Sequence, residues 1–228
     1  MGITRQRPAD AADYAATEST APAAAEGFEP DEYKPAVSGG WGAAKKVMAS
    51  TSTFSESFKF PNKDKGEESA LIKIPEDAPF ASYAQHWVDE ISSGKKSWTC
   101  LEKVCALCAR GHKPRGIFVF NVIDALTGEV KPLEAGPMLA KILETENDGR
   151  SGPLSRGYWE VYCTGGGNKG KMVYTVKPVK ARDLQDDFGL DPDEVAASLA
   201  GVTLLDQSWV TFPKVETLRE LAEEHLTN

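Results

Sequence analysis

The pattern of apolar and polar residues divides the chain into three parts. Residues 1–53 are rich in Ala, Ser, Thr, Pro and Gly without apolar periodicity, which is typical of a flexible arm. Residues 54–182 contain short runs of alternating apolar and polar residues, and each run predicts a β-strand. These runs are FSESFKF, SALIKIP, FASYAQHWVDEI, GIFVFNVIDA, RGYWEVYCT and KMVYTVKPV. The sequence therefore predicts a β-rich core followed by a different C-terminal part, residues 183–228.

Three segments show helical spacing instead. AGPMLAKILETE carries apolar residues three and four positions apart, which predicts one helix inside the β-rich core. DPDEVAASLAG begins with Asp191 and Pro192, a usual helix start, and KVETLRELAEEHL is amphipathic. Several short strands around one helix favour a mainly β fold, a small closed or half-closed barrel. Residues 183–228 form an acidic, partly helical tail in this prediction.

Charge follows the same division. The net charge of -8 combines -4 in residues 1–35, +5 in residues 36–182 and -9 in residues 183–228. A basic middle attracts a polyanion and acidic ends repel it, although acidic ends that serve solubility alone remain an alternative. No apolar run approaches the length of a membrane span, and the N-terminus lacks an apolar signal core. We therefore expect a partner of the nucleic-acid class and no membrane.

Three of the four cysteines are clustered. Cys100, Cys105 and Cys108 are separated by four and two residues, and a two-residue gap lets two thiolates of one tight turn reach the same ion. The fourth ligand of a tetrahedral site is His86 or His112, and both stay open on spacing alone. This set predicts one structural Zn²⁺.

Other uses of the cluster fit less well. A thioredoxin-like redox pair needs alternating strands and helices, which the pattern lacks. Three thiolates quench the Lewis acidity that a catalytic zinc needs, so we do not expect an enzyme. Inert buried thiols explain three cysteines in nine residues poorly, but they suit the isolated Cys163.

Basic and aromatic residues are interleaved in the middle of the chain, as in proteins that hold phosphates with lysines and stack bases on rings. Strand alternation places Tyr158 and Tyr162 on the face opposite Trp159. GGGNKGK has the spacing of a phosphate-binding loop, but Met172 replaces the Ser or Thr and a strand follows it, so we do not expect nucleotide hydrolysis. The predicted DNA-binding residues are Lys95, Lys96, Trp98, Arg110, Lys113, Arg115, Phe118, Phe120, Arg156, Tyr158, Tyr162, Lys169 and Lys171.

The chain resembles the phage single-stranded DNA-binding proteins related to the helix-destabilising protein of T-even phages. The resemblance covers residues 38–182 and rests on SGGWGAAKK, HWVDEISSGKKSWTCLEKVCALCARGHKP, FVFNVIDALTGEVKPL and YWEVYCTGGGNKGKMVYTVKPV. It implies an OB-fold core over residues 54–182 with a zinc subdomain inserted at about residues 84–115. It also implies an N-terminal arm for cooperative self-association and an acidic tail that contacts replication and recombination proteins. The family's zinc pattern, one upstream His and then three Cys, favours His86 over His112.

Two features depart from the family. The gap between Cys100 and Cys105 is shorter than in the T-even form, and apolar residues such as Leu204, Leu205, Trp209 and Phe212 suggest a tail that docks. The resemblance implies a sequence-independent single-stranded DNA-binding protein of phage replication, recombination and repair, located at the nucleoid or replication forks of the host cytoplasm. A zinc-stapled protein-interaction or transcription-regulating module is the alternative, and a zinc hydrolase or nuclease is a third.

Overall fold

Seven strands, joined by antiparallel pairing, form one sheet in the part of the chain that the computed structural model describes, residues 57–167 and 170–226. The predicted flexible arm, residues 1–53, lies outside the described residues. The strands are β1 (Ala70–Lys73), β2 (Ala81–Trp87), β3 (Ser97–Thr99), β4 (Arg115–Asp124), β5 (Val130–Ala135), β6 (Tyr158–Thr164) and β7 (Val173–Val179). The α-helices are α1 (Ala106–Ala109), α2 (Pro137–Asp148), α3 (Ala181–Phe188), α4 (Pro192–Leu199) and α5 (Val215–His225).

The long strand β4 organises the sheet. One of its edges pairs with β5, and its other edge is shared by β2 along the first half and β1 along the second. Strand β3 extends the sheet beyond β2, while β6 and then β7 extend it beyond β1. Strands β2 and β3 therefore extend from the first half of β4, and β1, β6 and β7 from its second half. Residues 88–114 connect β2 to β4, include β3 and are here called the projecting segment.

The main core is enclosed by all parts of the sheet except β2 and β3. Leu133 of β5 and Val176 of β7 share this core with Leu143 of α2, so the sheet curves around it. Helix α2 packs against β4, β5 and β7. Within the described ranges no pairing joins β5 to β7, so the sheet is not closed. The mainly β prediction with one internal helix is confirmed in this form.

Several local predictions can be compared with the structure. The β6–β7 hairpin and the helices α2, α4 and α5 are confirmed. The strand predicted over FSESFKF is wrong for its described part, because Ser57–Phe60 is irregular. Phe58 still donates its backbone N–H to the Pro132 carbonyl at 2.8 Å, and Phe60 lies in the main core. The short strands β3 and β5 were not predicted.

The C-terminal part is folded onto the sheet. Leu184 of α3 and Val195 of α4 pack with Leu71 and Tyr158 on the side away from the main core. Residues 205–212, here called the C-terminal strap, then cross the outer face of β2 and β4, where Val210 is buried. Within the described ranges, none of the helices has the length and apolar character needed to span a membrane.

Candidate metal centre and nucleic-acid surface

Four side chains with metal-binding atoms meet beside the β2–β3 hairpin. The ligand atoms of His86, Cys100, Cys105 and Cys108 all lie within 4.8 Å of one another. All but Cys108 are buried, and Cys108 is half-buried. These four residues are here called the ligand cluster. The predicted zinc ligands are therefore brought together from a strand, a turn and a short helix.

Local backbone structure explains this convergence. In the β2–β3 pair His86 lies opposite Trp98, so Cys100 emerges from β3 close to the His86 ring. A 3-10 turn then leads to Cys105, and the single-turn helix α1 contains Cys108. Glu102 begins that turn with a φ of 47°, and its backbone N–H donates to Cys100 Sγ at 3.3 Å. Each cysteine is thus fixed by a turn rather than by a long regular element.

His112 lies next to the ligand cluster but does not belong to it. The His86 Nε2 atom is 3.3 Å from Cys105 Sγ and 3.4 Å from Cys108 Sγ. The opposite ring nitrogen, Nδ1, is 2.9 Å from His112 Nδ1. A hydrogen-bond partner on the ring nitrogen that does not face the metal orients a metal-binding imidazole and fixes its tautomer. The structure thus places His86 among the sulfurs and His112 behind it.

The position of His112 is set by the end of α1. Gly111 has a φ of 78°, a left-handed conformation that glycine adopts without strain. The His112 N–H donates to the Leu107 carbonyl and the Gly111 N–H donates to the Cys108 carbonyl, which is the Schellman ending of a helix. This reversal turns the chain back so that the His112 ring contacts His86.

The pKa values of the three thiols are shifted in opposite directions. A hydrogen bond from Cys100, assisted by His86, lowers the pKa of Cys105 to about 3. The reciprocal hydrogen bond and burial raise the pKa of Cys100, and burial is the largest cause that raises the pKa of Cys108 to about 11. Three thiolates this close repel one another, so a cation that binds all three would remove the repulsion.

The dimensions of the ligand cluster suit zinc and exclude a disulfide. Cys100 Sγ and Cys108 Sγ are 3.4 Å apart, far beyond the disulfide bond length of about 2.05 Å. Zn–S bonds of about 2.3 Å and Zn–N bonds of about 2.0 Å give tetrahedral edges of about 3.5–3.8 Å. The Cys100–Cys108 S–S distance of 3.4 Å and the distances of 3.3 and 3.4 Å from His86 Nε2 to Cys105 and Cys108 are close to these values, and three thiolates with one imidazole are a usual structural zinc site.

Two cation–aromatic pairs involve Trp87 of β2 and Trp98 of β3. The guanidinium carbon of Arg115 lies 5.5 Å from the ring centre of Trp87, and Lys95 Nζ lies 4.7 Å from that of Trp98. Arg115 also donates from Nε to Gln85 at 2.6 Å. Trp87 is 43% exposed, whereas Trp98 is half-buried. The register places Trp98 on the His86 face of the β2–β3 pair and Trp87 on the other face, so Lys95 with Trp98 and Arg115 with Trp87 are two separate pairs.

A partly buried carboxylate of the sheet, Glu134 of β5, lies within electrostatic reach of both cations. Burial raises its pKa, while hydrogen bonds from Ser57 and Tyr83 and the charges of Arg115 and Lys95 lower it. Burial likewise lowers the pKa of Arg115 and of Lys95, and the charge of Glu134 opposes that shift in both. Both bases are therefore influenced by the same carboxylate, and a second carboxylate, Asp89, accepts from Trp87 Nε1 at 2.8 Å.

Three predicted stacking residues are covered in this structure. Phe118 and Phe120 point into the main core, so no ring face is left for a base. Tyr158 is buried under α3 and α4, with Lys73 over its ring at 5.3 Å. Alternation along β6 was predicted correctly, since Trp159 faces the main core. These three side chains therefore have no exposed ring face on which a base could stack.

The remaining predicted residues are dispersed. Arg110 donates to the Leu226 carbonyl at 2.9 Å, and Lys96 donates to the Asp89 carbonyl at 3.1 Å. Lys113, Arg156 and Lys171 are exposed. Lys169, at the tip of the glycine-rich hairpin, lies outside the described residues.

Two lysines around the Tyr162 ring form a separate basic patch on the outer face of β6 and β7. Lys63 Nζ is 4.0 Å and Lys177 Nζ is 5.1 Å from its ring centre. Glu160 forms ion pairs with both lysines, at 3.8 and 3.4 Å. The carboxylate offsets one of the two lysine charges in this patch.

Sequence reasoning missed Trp87 and Lys63. Strand alternation could have found Trp87, since a metal-facing His86 requires that its neighbour point the other way. Lys63 carries no comparable signal, because it reaches Tyr162 from a turn that is distant in sequence.

Comparison of the chain with protein-family models, with curated proteins and with solved structures found no match.

Proposed function

We propose that this protein binds single-stranded DNA without sequence preference and carries one structural Zn²⁺. The observation that carries the DNA proposal is the exposed Trp87 with Arg115 over its ring; Lys95 with Trp98 is a second cation–aromatic pair, on the other face of the β2–β3 pair. Aromatic faces next to cations are what a single strand needs, because every base can stack and every nucleotide carries a phosphate. The phage replication setting rests on the sequence resemblance.

Zinc fits the ligand cluster by donor type, burial and dimensions. His86, Cys100, Cys105 and Cys108 would hold the ion, and His112 would orient His86. A structural zinc supplies cross-linking of a segment that has few regular hydrogen bonds of its own. In this proposal it fixes the projecting segment that carries Lys95 and Trp98.

The connectivity supports an OB-fold. If β1 and β2 count as one interrupted first strand, then β4, β5, β6 and β7 follow in the pairing pattern of a five-stranded, partly open OB barrel. Helix α2 then occupies the connection between the third and fourth strands. The projecting segment between β2 and β4 corresponds to the first ligand-binding loop of such folds, and the glycine-rich hairpin to the last.

The proposed mechanism is electrostatic attraction followed by stacking. Arg115 and Lys95 contact phosphates, and Trp87 supplies the ring face, with Trp98 as a second, less accessible ring. Arg115 is held by Gln85 and Trp87, so little side-chain freedom is lost on binding. No base-specific hydrogen-bonding set is required, which accounts for sequence independence.

Fluorescence anisotropy with labelled oligo-dT at several salt concentrations tests this proposal. Lys95→Ala should reduce the slope of log K against log[salt] by about 0.7, the value expected per phosphate lost. Trp87→Ala should weaken binding roughly 5- to 150-fold, equivalent to about 1–3 kcal/mol of stacking, with an unchanged slope. Lys141→Ala, the same substitution on the exposed face of α2, is the matched control and should change neither quantity.

The outcome also separates the alternatives. A folded, metal-loaded protein that binds no oligonucleotide at low salt would refute the DNA proposal and favour a zinc-stapled interaction module. Equal effects of the Lys95 and Lys141 substitutions would show that binding is governed by net charge rather than by this surface.

A further inference from the structure

The C-terminal helix α5 packs directly on the segment that contains the ligand cluster. Val215, Leu218 and Ala222 share one apolar cluster with Cys100 and Cys105. Leu218 is fully buried in that cluster. At the end of α5, the Leu226 carbonyl accepts from Arg110, the residue that ends α1. Residues 100–114, between β3 and β4, are here called the metal-binding segment. This segment and α5 therefore form one small core.

The C-terminal strap leads the chain into this position. Leu205 is held on the outer face by the buried Asn121, and Thr99 Oγ1 of β3 donates to the Thr211 carbonyl at 2.8 Å. Phe212 then packs against both the outer-face cluster and the cluster around the cysteines. The strap thus passes around β3 and delivers α5 to the metal-binding segment.

The segment under α5 has little regular structure to support that contact. Between β3 and β4 it contains one 3-10 turn and the single-turn helix α1. Its shape is maintained by the four side chains of the ligand cluster and by α5 itself. Without a cation, only short turns and apolar packing hold this segment, which favours opening. With a cation, the apolar surface that receives Leu218 is fixed.

We propose that metal binding and docking of α5 are thermodynamically coupled, so that the ion holds the C-terminal part of the chain in place. This inference rests on the proposed metal, but it is independent of DNA binding. Coupling is reciprocal. If the bound ion multiplies the equilibrium constant for docking of α5 by some factor, docked α5 multiplies the association constant for the ion by the same factor. The C-terminal strap and α5 are then a metal-dependent cover over the outer face of β2 and β4.

Metal affinity of the full-length protein, measured by competition with a chromogenic chelator, tests one direction. Leu218→Ala should raise the Kd for Zn²⁺ at least about fivefold, the lower end of typical coupling factors. Leu184→Ala is the matched control, because Leu184 is an equally buried leucine of a C-terminal helix that packs elsewhere. It should leave the Kd unchanged even though it makes a similar cavity.

Limited trypsin digestion of the wild-type protein tests the reverse direction. Lys214 and Arg219 are the only Lys or Arg residues after position 182, and they lie at the start of α5 and within it. Removal of zinc should accelerate cleavage at these two positions at least about fivefold, by the same reciprocity. Lys180 and Arg182, at the start of α3, provide an internal control whose cleavage rate should not change.

Each result bears on a separate claim. A wild-type protein that binds no zinc would refute the proposed metal itself. One bound zinc with equal affinities for the Leu218→Ala and Leu184→Ala proteins would overturn the coupling alone. Unchanged cleavage at Lys214 and Arg219 after verified metal removal would also overturn it, and so would equal acceleration at Lys180 and Arg182, which would indicate global unfolding.

Discussion

Asn121 gives the sharpest test of how the C-terminal strap is held. This fully buried side chain accepts from the Leu205 N–H at 2.9 Å and donates to the Leu205 carbonyl at 2.9 Å. The same amide nitrogen donates to both carboxylate oxygens of Glu76, at 3.1 and 3.2 Å. One amide therefore joins the sheet, the strap and a partly buried carboxylate.

Asn121→Ala should lower the free energy of unfolding by about 2–4 kcal/mol at pH 7. About three hydrogen bonds are lost at roughly 0.5–1.5 kcal/mol each, and Glu76 and Leu205 are left with unpaired groups. Burial raises the pKa of Glu76, and the Asn121 hydrogen bonds oppose that rise. The substitution should therefore raise the Glu76 pKa further and make the ionised form more costly.

The sign of the pH dependence follows. A carboxylate whose pKa is raised by folding stabilises the protein most when protonated, and that stability is lost as pH rises through the folded pKa. The cost of Asn121→Ala should thus be greater at pH 7 than near pH 4, where Glu76 is largely protonated in both proteins. Urea unfolding at the two pH values measures this difference.

Asn62→Ala is the control, because the Asn62 side chain bonds only to backbone atoms, of Asp64 and Gly165. Its cost should be the same at both pH values. A cost below about 1 kcal/mol for Asn121→Ala, or one that does not depend on pH, would refute this account of the strap.

Three further predictions concern the metal-binding segment and the nucleic-acid surface. Cys108→Ser should reduce bound zinc from one ion per chain to nearly none by elemental analysis, whereas Cys163→Ser, in the main core, should retain the ion. Retained zinc in the Cys108 variant would contradict the ligand set. DNA affinity should increase as the pH falls through the pKa of Glu134, which burial raises, because the protonated side chain no longer repels phosphate, and Glu134→Gln should flatten the profile; an unaltered profile would argue against its place in the interface. Glu102→Gly should be neutral or stabilising in thermal unfolding, while Glu102→Val should cost about 1–2 kcal/mol more, since only glycine is unstrained at this φ of 47°; equal stabilities would contradict the strain.

Part of the fold could be read from the sequence because its signals are local. The β6–β7 hairpin alternates clearly, and α4 begins at the Asp191–Pro192 signal, where Asp191 caps the helix. Strand β3 has three residues and β5 contains Pro132, so neither has a recognisable pattern. Both are strands because of their neighbours: β3 pairs with β2, and β5 with β4.

The candidate site was predictable in composition but not in arrangement. Cysteine spacing identified three ligands, yet the choice between His86 and His112 depends on the β2–β3 register and on the reversal at Gly111. Phe118 and Phe120 were misplaced because nearby basic residues suggested a surface. The continuous apolar run of β4 does indicate a strand covered on both faces, but the covering strap is more than 80 residues away in sequence.

The acidic C-terminal part of the chain is folded and is not a free tail. Most acidic residues of 183–226 lie on or next to helices whose apolar sides are packed, α3 and α4 on the sheet and α5 on the segment of the ligand cluster, so their negative charge has a fixed position. Helices α3 and α4 cover Tyr158 and make that side of β1 and β6 repulsive to phosphate. If the protein binds DNA as proposed, this repulsion would direct the strand towards the surface of Arg115 and Trp87. Truncation at residue 183 would remove this repulsion and also expose the apolar surface under Leu184 and Val210, so charge and packing can be separated only by substituting exposed acids one at a time.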